Sequence, residues 1–344
     1  KQMKNIKGQK IIILGGTGSL GKALIDRFSK ENELIIFSRD EAKQWTIKNK
    51  LSSLNKVNFV VGDIRDYSRI EETLLRYNPT TIIIASALKQ VDTCELSPKE
   101  SIFTNINGII NVVDAVSRQI KNLNNLESVL MVSTDKACAP ANVYGMCKAI
   151  AERIVTSLSI NFDKPKFIGV RYGNVLESRG SIIPLFKFQA ENSENFTVTH
   201  EMMTRFIMTL DDSIDLIEKT ILNASNGEIW LPKLKSMRIL DLANIFSERY
   251  SKPIKIIGMR PGEKLHEDLI SIPESYRVFQ EGEFFRMSPA YSMDSINEQN
   301  FSYSSEQNVL SKVDLEEYLE SLSIFQQSID QFFVGPQIEE IRTK

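Results

Sequence analysis

Histidine and cysteine are both scarce, with two and three residues in a chain of 344. Cys94, Cys138 and Cys147 are odd in number and fall at no metal-ligand spacing. With only His200 and His266 to add, no structural metal site is expected. So few cysteines suit a reducing compartment without disulfides, and a cytoplasmic location is expected. An excess of positive charge is also missing. Forty-two basic residues face 44 acidic ones, for a net charge of −2, so no global field draws in nucleic acid. No run approaches the ~18 apolar residues of a membrane helix, and the longest candidate, Thr81 to Leu88, suits a buried strand. Sixteen glycines and 11 prolines are too few for a collagenous or low-complexity chain.

What is present is globular: 42% apolar and 25% charged residues. The length predicts one large domain and a smaller one. Short β-branched runs (Lys10–Leu14, Glu33–Phe37, Val57–Val61, Thr81–Ala85, Ser128–Ser133, Lys166–Tyr172) alternate with amphipathic stretches at Leu20–Ser29, Asp40–Leu54, Tyr67–Leu75, Lys99–Gln119 and Tyr144–Ser159. The runs are apolar on both faces, as a sheet covered by helices on each side requires. The expectation is an α/β fold, a Rossmann-type doubly wound parallel sheet with a smaller α/β substrate-binding domain. Residues 1–174 form the nucleotide domain, joined by a returning segment at about 203–232; residues 175–202 and 233–344 form the substrate domain. In this second half Arg205–Ala224 reads as strand then helix, Glu228–Leu231 and Ile254–Gly258 as strands, and Met237–Arg249 and Asp314–Phe333 as helices. Pro273–Ser311 reads as polar and irregular.

The first strand runs into Gly15-Gly16-Thr17-Gly18-Ser19-Leu20-Gly21 and then a helix. Glycines at 15, 18 and 21 supply a tight turn, close backbone approach to a pyrophosphate and close helix–strand packing. The helix N-terminus offers free N–H groups to the phosphates. A dinucleotide is therefore expected here, with Thr17, Ser19 and Leu20 beside it. After the second strand stand Ser38, Arg39 and Asp40, with Lys43 one turn on. A cation at this point favours the added phosphate of NADP, while Asp40 keeps NAD open. Asp63 and Ile64 follow the third strand, where they could flank the adenine, and Ala85 follows the fourth.

The fifth strand ends at Ser133, Thr134, Asp135 and Lys136, and Tyr144 and Lys148 share one face of the next helix. A lysine beside a phenol favours the phenolate, and bringing a tyrosine from about 10 to near 7 takes about 4 kcal/mol. Downstream of a nucleotide fingerprint, this constellation points to the short-chain dehydrogenase/reductase superfamily. Cys138 and Cys147 read as packing thiols.

The resemblance goes further. GGTGSLG, FSRDEAKQ, GDIRDYSRI, ALKQVDTCELSPKE, TNINGIINV, VSTDKA, RYGNVLESRGSIIPLF, MTRF and GMRPGEKLHE run in order through residues 15–267. Together they resemble the UDP-N-acetylglucosamine 4,6-dehydratases of bacterial polysaccharide and flagellin-sugar biosynthesis, above all the inverting type that begins the route to pseudaminic acid. The resemblance implies that Tyr144 takes the proton of the sugar's 4-hydroxyl, that Lys136 removes the carbon 5 proton, and that Asp135 protonates the departing 6-hydroxyl. A neutral lysine and a protonated aspartate are then needed. Burial favours both, whereas a salt bridge between the neighbours opposes both. It further implies that Lys89 reaches substrate or cofactor, that Thr104 and Asn105 stand beside the nicotinamide, and that Asn174 contacts substrate. Arg179, Arg205, Arg260 and Glu263 would hold the UDP portion, with Gly180 letting backbone approach and Ser181 and Thr199 nearby. A homo-oligomer is implied as well. Leu14, Ser86 and His200 depart from the family pattern. A UDP-N-acetylhexosamine epimerase and a dehydratase that retains carbon 5 share the cofactor site and the Tyr–Lys pair. An NADPH-sensing module would do without the latter.

Overall fold

The first six expected strands form where β-branched residues cluster. The structure, a computed structural model, describes residues 5–50, 56–176, 178, 180–292 and 296–328. Its first half alternates strictly: β1 (Lys10–Leu14), α1 (Ser19–Phe28), β2 (Glu33–Ser38), α2 (Glu41–Lys50), β3 (Val57–Val61), α3 (Tyr67–Tyr77) and β4 (Thr81–Ile84). Then come α4 (Val91–Leu96), α5 (Pro98–Ile102), α6 (Gly108–Gln119), β5 (Ser128–Thr134), α7 (Val143–Ser157) and β6 (Lys166–Tyr172). The six strands are parallel in the order β6-β5-β4-β1-β2-β3. Ile12 and Leu14 pack on one face with Ile70, Val112 and Val155. Ile11 and Ile13 pack on the other with Leu24, Phe28 and Ile217. Burial on both faces explains runs without polar alternation.

The second half continues with β7 (Asn174–Val175), α8 (Ile182–Asn192), β8 (Phe196–Val198), β9 (Thr204–Met208), α9 (Leu210–Asn223), β10 (Ile229–Pro232), β11 (Lys235–Arg238), α10 (Ile239–Tyr250) and β12 (Ile254–Ile256). It ends with β13 (Asp268–Ile270), α11 (Ile272–Ser275), β14 (Val278–Glu281), β15 (Phe284–Met287), β16 (Tyr303–Ser304) and α12 (Lys312–Ser321). β10 lies parallel to β6, while β9 joins β7 and β11 in a separate small sheet. Phe186, Phe196, Phe246, Leu315 and Leu319 form the core of this lobe.

Four expectations need correction. Residues 273–311, read as irregular, hold the β14–β15 hairpin, which pairs through β15 with β10 and extends the large sheet to nine strands. Val278, Phe285 and Met287 supply its buried face, but their short alternation is lost among polar neighbours. The stretch Lys99–Gln119 is not one helix. A π-helical turn at Phe103–Asn107 separates α5 from α6 and carries the buried Thr104 and Asn105. The segment from Met237 starts as strand β11, paired with β9, and turns helical at Ile239. The closing helix stops at Ser321, and Ile324–Gln326 forms one further 3₁₀ turn. The remainders of the expected helices at 40–54 and 314–333, residues 51–54 and 329–333, lie outside the described residues.

Candidate active site

The C-terminal ends of the parallel strands open into a cleft of about 540 Å³. The first wall is the turn after β1. Gly15 takes φ +85°, and a Cβ there would stand 2.6 Å from the Ser86 backbone nitrogen. At Gly21 a Cβ would meet the Gly16 carbonyl oxygen at 2.2 Å, so α1 sits close against the turn only because Gly21 lacks a side chain. Thr17, Gly18, Ser19 and Leu20 line the cleft beside them, and a Cβ on Gly18 would meet nothing nearer than 3.8 Å. This cradle fits a pyrophosphate on a helix N-terminus.

At the end of β2, the buried Ser38 hydroxyl accepts from Gln44 Nε2 at 3.0 Å. Arg39 is exposed on the rim, its guanidinium 3.9 Å from Asp63 Oδ2. Asp40 accepts from the Lys43 backbone N–H at 2.9 Å and pairs with Lys43 Nζ at 3.1 Å. Asp63 is engaged by Arg65 at 2.9 Å, and Ile64 lies buried beside it. Ala85 and Lys89 line the cleft. Thr104 does so too, and its buried hydroxyl has no partner among the described residues, an open position for a bound group. Asn105 does not line the cleft. Its amide clamps Leu88 instead, accepting from the backbone N–H at 2.8 Å and donating to the carbonyl at 2.9 Å, so it shapes the wall from behind.

Asp135 and Lys136 form a tight turn after β5. Gly145, in the first turn of α7, makes room for it, since a Cβ there would lie 2.1 Å from the Lys136 carbonyl oxygen. Asn142 caps α7 by accepting from the Gly145 N–H at 2.8 Å. Asp135 is wholly buried. Its Oδ1 accepts from Thr134 Oγ1 at 3.0 Å and from Lys136 Nζ at 3.1 Å, and its Oδ2 has no partner among the described residues. Lys136 Nζ stands also 3.2 Å from Glu267 Oε1.

Burial pushes the Asp135 carboxyl up, against the pull of Lys136 and with help from Glu267. Burial alone would lower the Lys136 ammonium, but Asp135 and Glu267 more than offset it and hold the group charged. Of the two opposing influences expected on this lysine, the ion pair wins. Tyr144 is pushed up by burial and then by the Asp135 carboxylate. Lys148 donates to the Val132 carbonyl at 2.6 Å, and burial lowers it to about 8. The protein groups by themselves therefore do not favour the phenolate, because burial outweighs them. Cys138 is a buried free thiol that donates to Glu274 Oε2 at 3.2 Å, and burial pushes it up, so it packs rather than reacts.

The other wall belongs to the second lobe. Asn174 in β7 presents a buried Oδ1 without a partner among the described residues. Gly180, at φ +72°, leaves room for Gln90 Nε2. Ser181 Oγ donates to the Leu176 carbonyl at 2.7 Å. Arg205 Nη1 donates to the Thr204 and Leu265 carbonyls at 2.7 and 3.2 Å. Glu263 accepts from the Arg260 N–H at 3.0 Å, closing the turn around Gly262. Thr199 and Arg260 line an adjoining cavity of about 140 Å³, which shares Asn174, Gly180, Ser181, Arg205 and Glu263 with the main cleft. Arg179 lies outside the described residues. Two features escaped the sequence reading. Glu267 ends a quoted motif, but no spacing marks it as a partner of Lys136. Arg171, next to the last residue of β6, is buried between Glu152 and Glu274 at 2.6 and 2.9 Å.

A sheet of this strand order, with its Tyr–Lys pair on the helix after β5 and a second lobe beyond β6, is the architecture of the extended short-chain dehydrogenases/reductases, and this chain is one. Within that class it belongs to the family described as "Polysaccharide biosynthesis protein", whose model matches residues 11–289. It is 36% identical to the UDP-N-acetylglucosamine 4,6-dehydratase (inverting) of Campylobacter jejuni strain 81-176, over 88% of this chain and 93% of that one. It is 38% identical to the UDP-glucose 4-epimerase of Rickettsia bellii, over 80% and 82%. Among solved structures, Pen from Bacillus thuringiensis superposes with a TM-score of 0.85 at 31% identity, covering 92% of this chain and 98% of that one.

Proposed function

We propose that this chain is an NADP-dependent dehydratase that converts UDP-N-acetylglucosamine to a UDP-4-keto-6-deoxy-hexosamine with inversion at carbon 5, for bacterial surface or flagellar glycans. It works as a cytoplasmic homo-oligomer. The observation that carries the reading is the Asp135–Lys136 pair on the floor of the cleft beside Tyr144, since epimerisation at carbon 4 alone needs no carbon 5 base.

Gly15, Gly18, Ser19, Gly21, Arg39, Thr104 and Lys148 would hold the NADP. When bound, NADP supplies the hydride acceptor at carbon 4 and the donor at carbon 6. Tyr144 takes the proton of the 4-hydroxyl, and the ketone formed acidifies the proton on carbon 5. Lys136 must then act as a neutral amine, and its proton has a place to go. Asp135 Oδ1 lies 3.1 Å away, and burial already favours its acid form. That shift turns the resting ion pair into an amine and a carboxylic acid without changing the charge of the pair. As Lys136 removes the carbon 5 proton, the electron pair forms the carbon 5–carbon 6 double bond. The 6-hydroxyl leaves as water with the proton of Asp135. Return of a proton to carbon 5 from the opposite face inverts that centre. Arg179, Arg205, Arg260 and Glu263 hold the UDP portion, Asn174 contacts the substrate, and Lys89 reaches the sugar.

Incubation with UDP-N-acetylglucosamine and no added cofactor, followed by proton NMR in D₂O, is expected to show a methyl signal and deuterium at carbon 5. Ring couplings report inversion. Unchanged sugar, or the 4-epimer alone, would reject dehydration in favour of the epimerase reading raised by the Rickettsia relative. Exchanging Arg39 for Ser is expected to weaken NADP about 10- to 100-fold while NAD binding changes little, because a charged hydrogen bond to the added phosphate is lost. Titration with both dinucleotides checks this, and equal loss for both would sink the preference.

A further inference from the structure

Glu267 stands in the cleft without a part in the scheme above. Its side chain is 3% exposed. Oε1 lies 3.2 Å from Lys136 Nζ and 4.0 Å from Arg205 Nε, and Oε2 has no partner among the described residues. A carboxylate buried to this degree is costly unless it serves a charge nearby. Its backbone is fixed from both sides. The Glu267 N–H donates to Ser305 Oγ at 2.9 Å, the Ser305 N–H donates to the Glu267 carbonyl at 2.8 Å, and Ser305 Oγ meets Thr204 Oγ1 at 2.7 Å. The carboxylate is thus held in place by the second lobe while its target, Lys136, belongs to the first.

We propose that Glu267 is a positioning residue that acts through Lys136: it aims the amine into the cleft and stabilises the ammonium formed when that amine takes the carbon 5 proton. The proposal rests on the dehydratase reading. Its logic is that of a base oriented by a third group. In the working state Asp135 is a neutral acid, so the charge that develops on Lys136 as the C–H bond breaks and the N–H bond forms has Glu267 as its nearest anion. Removing that charge makes Lys136 a weaker base. The charged and titratable groups around Lys136 are Asp135 on its own turn, Glu267 and Lys264 from the segment before β13, Arg205 from β9 and Tyr144 from α7.

Two measurements test this. In the free protein, the rate at which acetic anhydride labels Lys136, read by peptide mass spectrometry against pH, reports the amine without any substrate. Wild-type Lys136 should become reactive at higher pH than surface lysines, and in E267Q the midpoint should fall by about one unit or more. In turnover with UDP-N-acetylglucosamine, E267Q should lose about ten- to a hundredfold in kcat with little change in KM. Reduction of the cofactor on mixing should stay within about threefold of wild type, and E267D should recover part of kcat. A wild-type midpoint no higher than that of surface lysines overturns the proposal, and that measurement needs no variant to fold. So does an unshifted midpoint in E267Q, or a folded E267Q in which cofactor reduction and elimination fall together. If wild type makes no 4-keto-6-deoxy product, the functional reading fails, whereas the labelling midpoints still report whether Glu267 controls Lys136.

Discussion

Replacing Lys136 by Met is expected to lower dehydration by about a thousandfold while cofactor reduction on mixing with UDP-N-acetylglucosamine persists. Methionine keeps most of the apolar stem and removes the amine. Tyr144 and Lys148 are untouched, so oxidation at carbon 4 should still show as near-ultraviolet absorbance of the reduced cofactor. The carbon 5 proton should then stay in place in D₂O. Carbon 5 exchange at the wild-type rate would remove Lys136 as the base. The variant also leaves two buried carboxylates that stood 3.1 and 3.2 Å from the lost nitrogen. Asp135, already pushed up by burial, loses the cation that pulled it down, while Glu267 keeps Arg205 and Lys264. The folded chain then binds more protons than the unfolded one, so the stability of the variant should fall as pH rises. Thermal unfolding at pH 6 and pH 9 reads the sign.

The second large effect is expected at Arg171. Its guanidinium donates to Glu152 Oε1 and Oε2 at 3.0 and 2.6 Å, to Glu274 Oε1 and Oε2 at 2.9 and 3.1 Å, and to the Leu269 carbonyl at 2.9 Å. One side chain thus ties β6, α7 and the β13–α11 segment together. Arg171→Met removes the cation and leaves both carboxylates buried, with Arg277 the nearest remaining cation to Glu274 at 3.7 Å. Loss of one partner of a buried ion pair costs about 3–5 kcal/mol, which denaturant titration would measure. The pH dependence has a definite sign. In the wild type, burial would raise Glu274, but Arg171 and its hydrogen bonds bring it down to about 2. That stabilisation is complete above the ordinary carboxylate range and is lost as pH falls towards 2. In the variant the carboxylates sit high, so its deficit should be largest at neutral pH and shrink on acidification. A deficit independent of pH would mean that packing, not charge, is what Arg171 supplies.

How much of this was legible beforehand follows from how locally each feature is encoded. The six parallel strands are apolar on both faces, so each run announces itself, and the glycines at 15, 18 and 21 are spaced by the needs of a single turn. Tyr144 and Lys148 are four apart on one helix, and Asp135 and Lys136 are adjacent. The β14–β15 hairpin was missed because its pairing partner, β10, lies 46 or more residues earlier, from Pro232 to Val278. Glu267 and Arg171 were missed for the same reason. Their partners come from distant elements, and a buried arginine inside a strand reads in sequence as a break in the apolar pattern. The protonation of Lys136 was the hardest to read, since it depends on whether burial or two carboxylates prevail, and only the second carboxylate's position decides.

The order of strands along the gene has a bearing on synthesis. β10 takes its place beside β6 early, but its free edge, Ile229 to Pro232, waits for β15 at Phe284–Met287. On the ribosome the nascent chain can assemble the glycine-rich turn and the Tyr144 helix while that edge is still open to pairing with other chains. The chain between β10 and β15 also carries Glu267, the partner of Lys136. A message truncated before it would yield a protein that still has its nucleotide cradle, but with an unprotected sheet border and an unfinished reaction chamber.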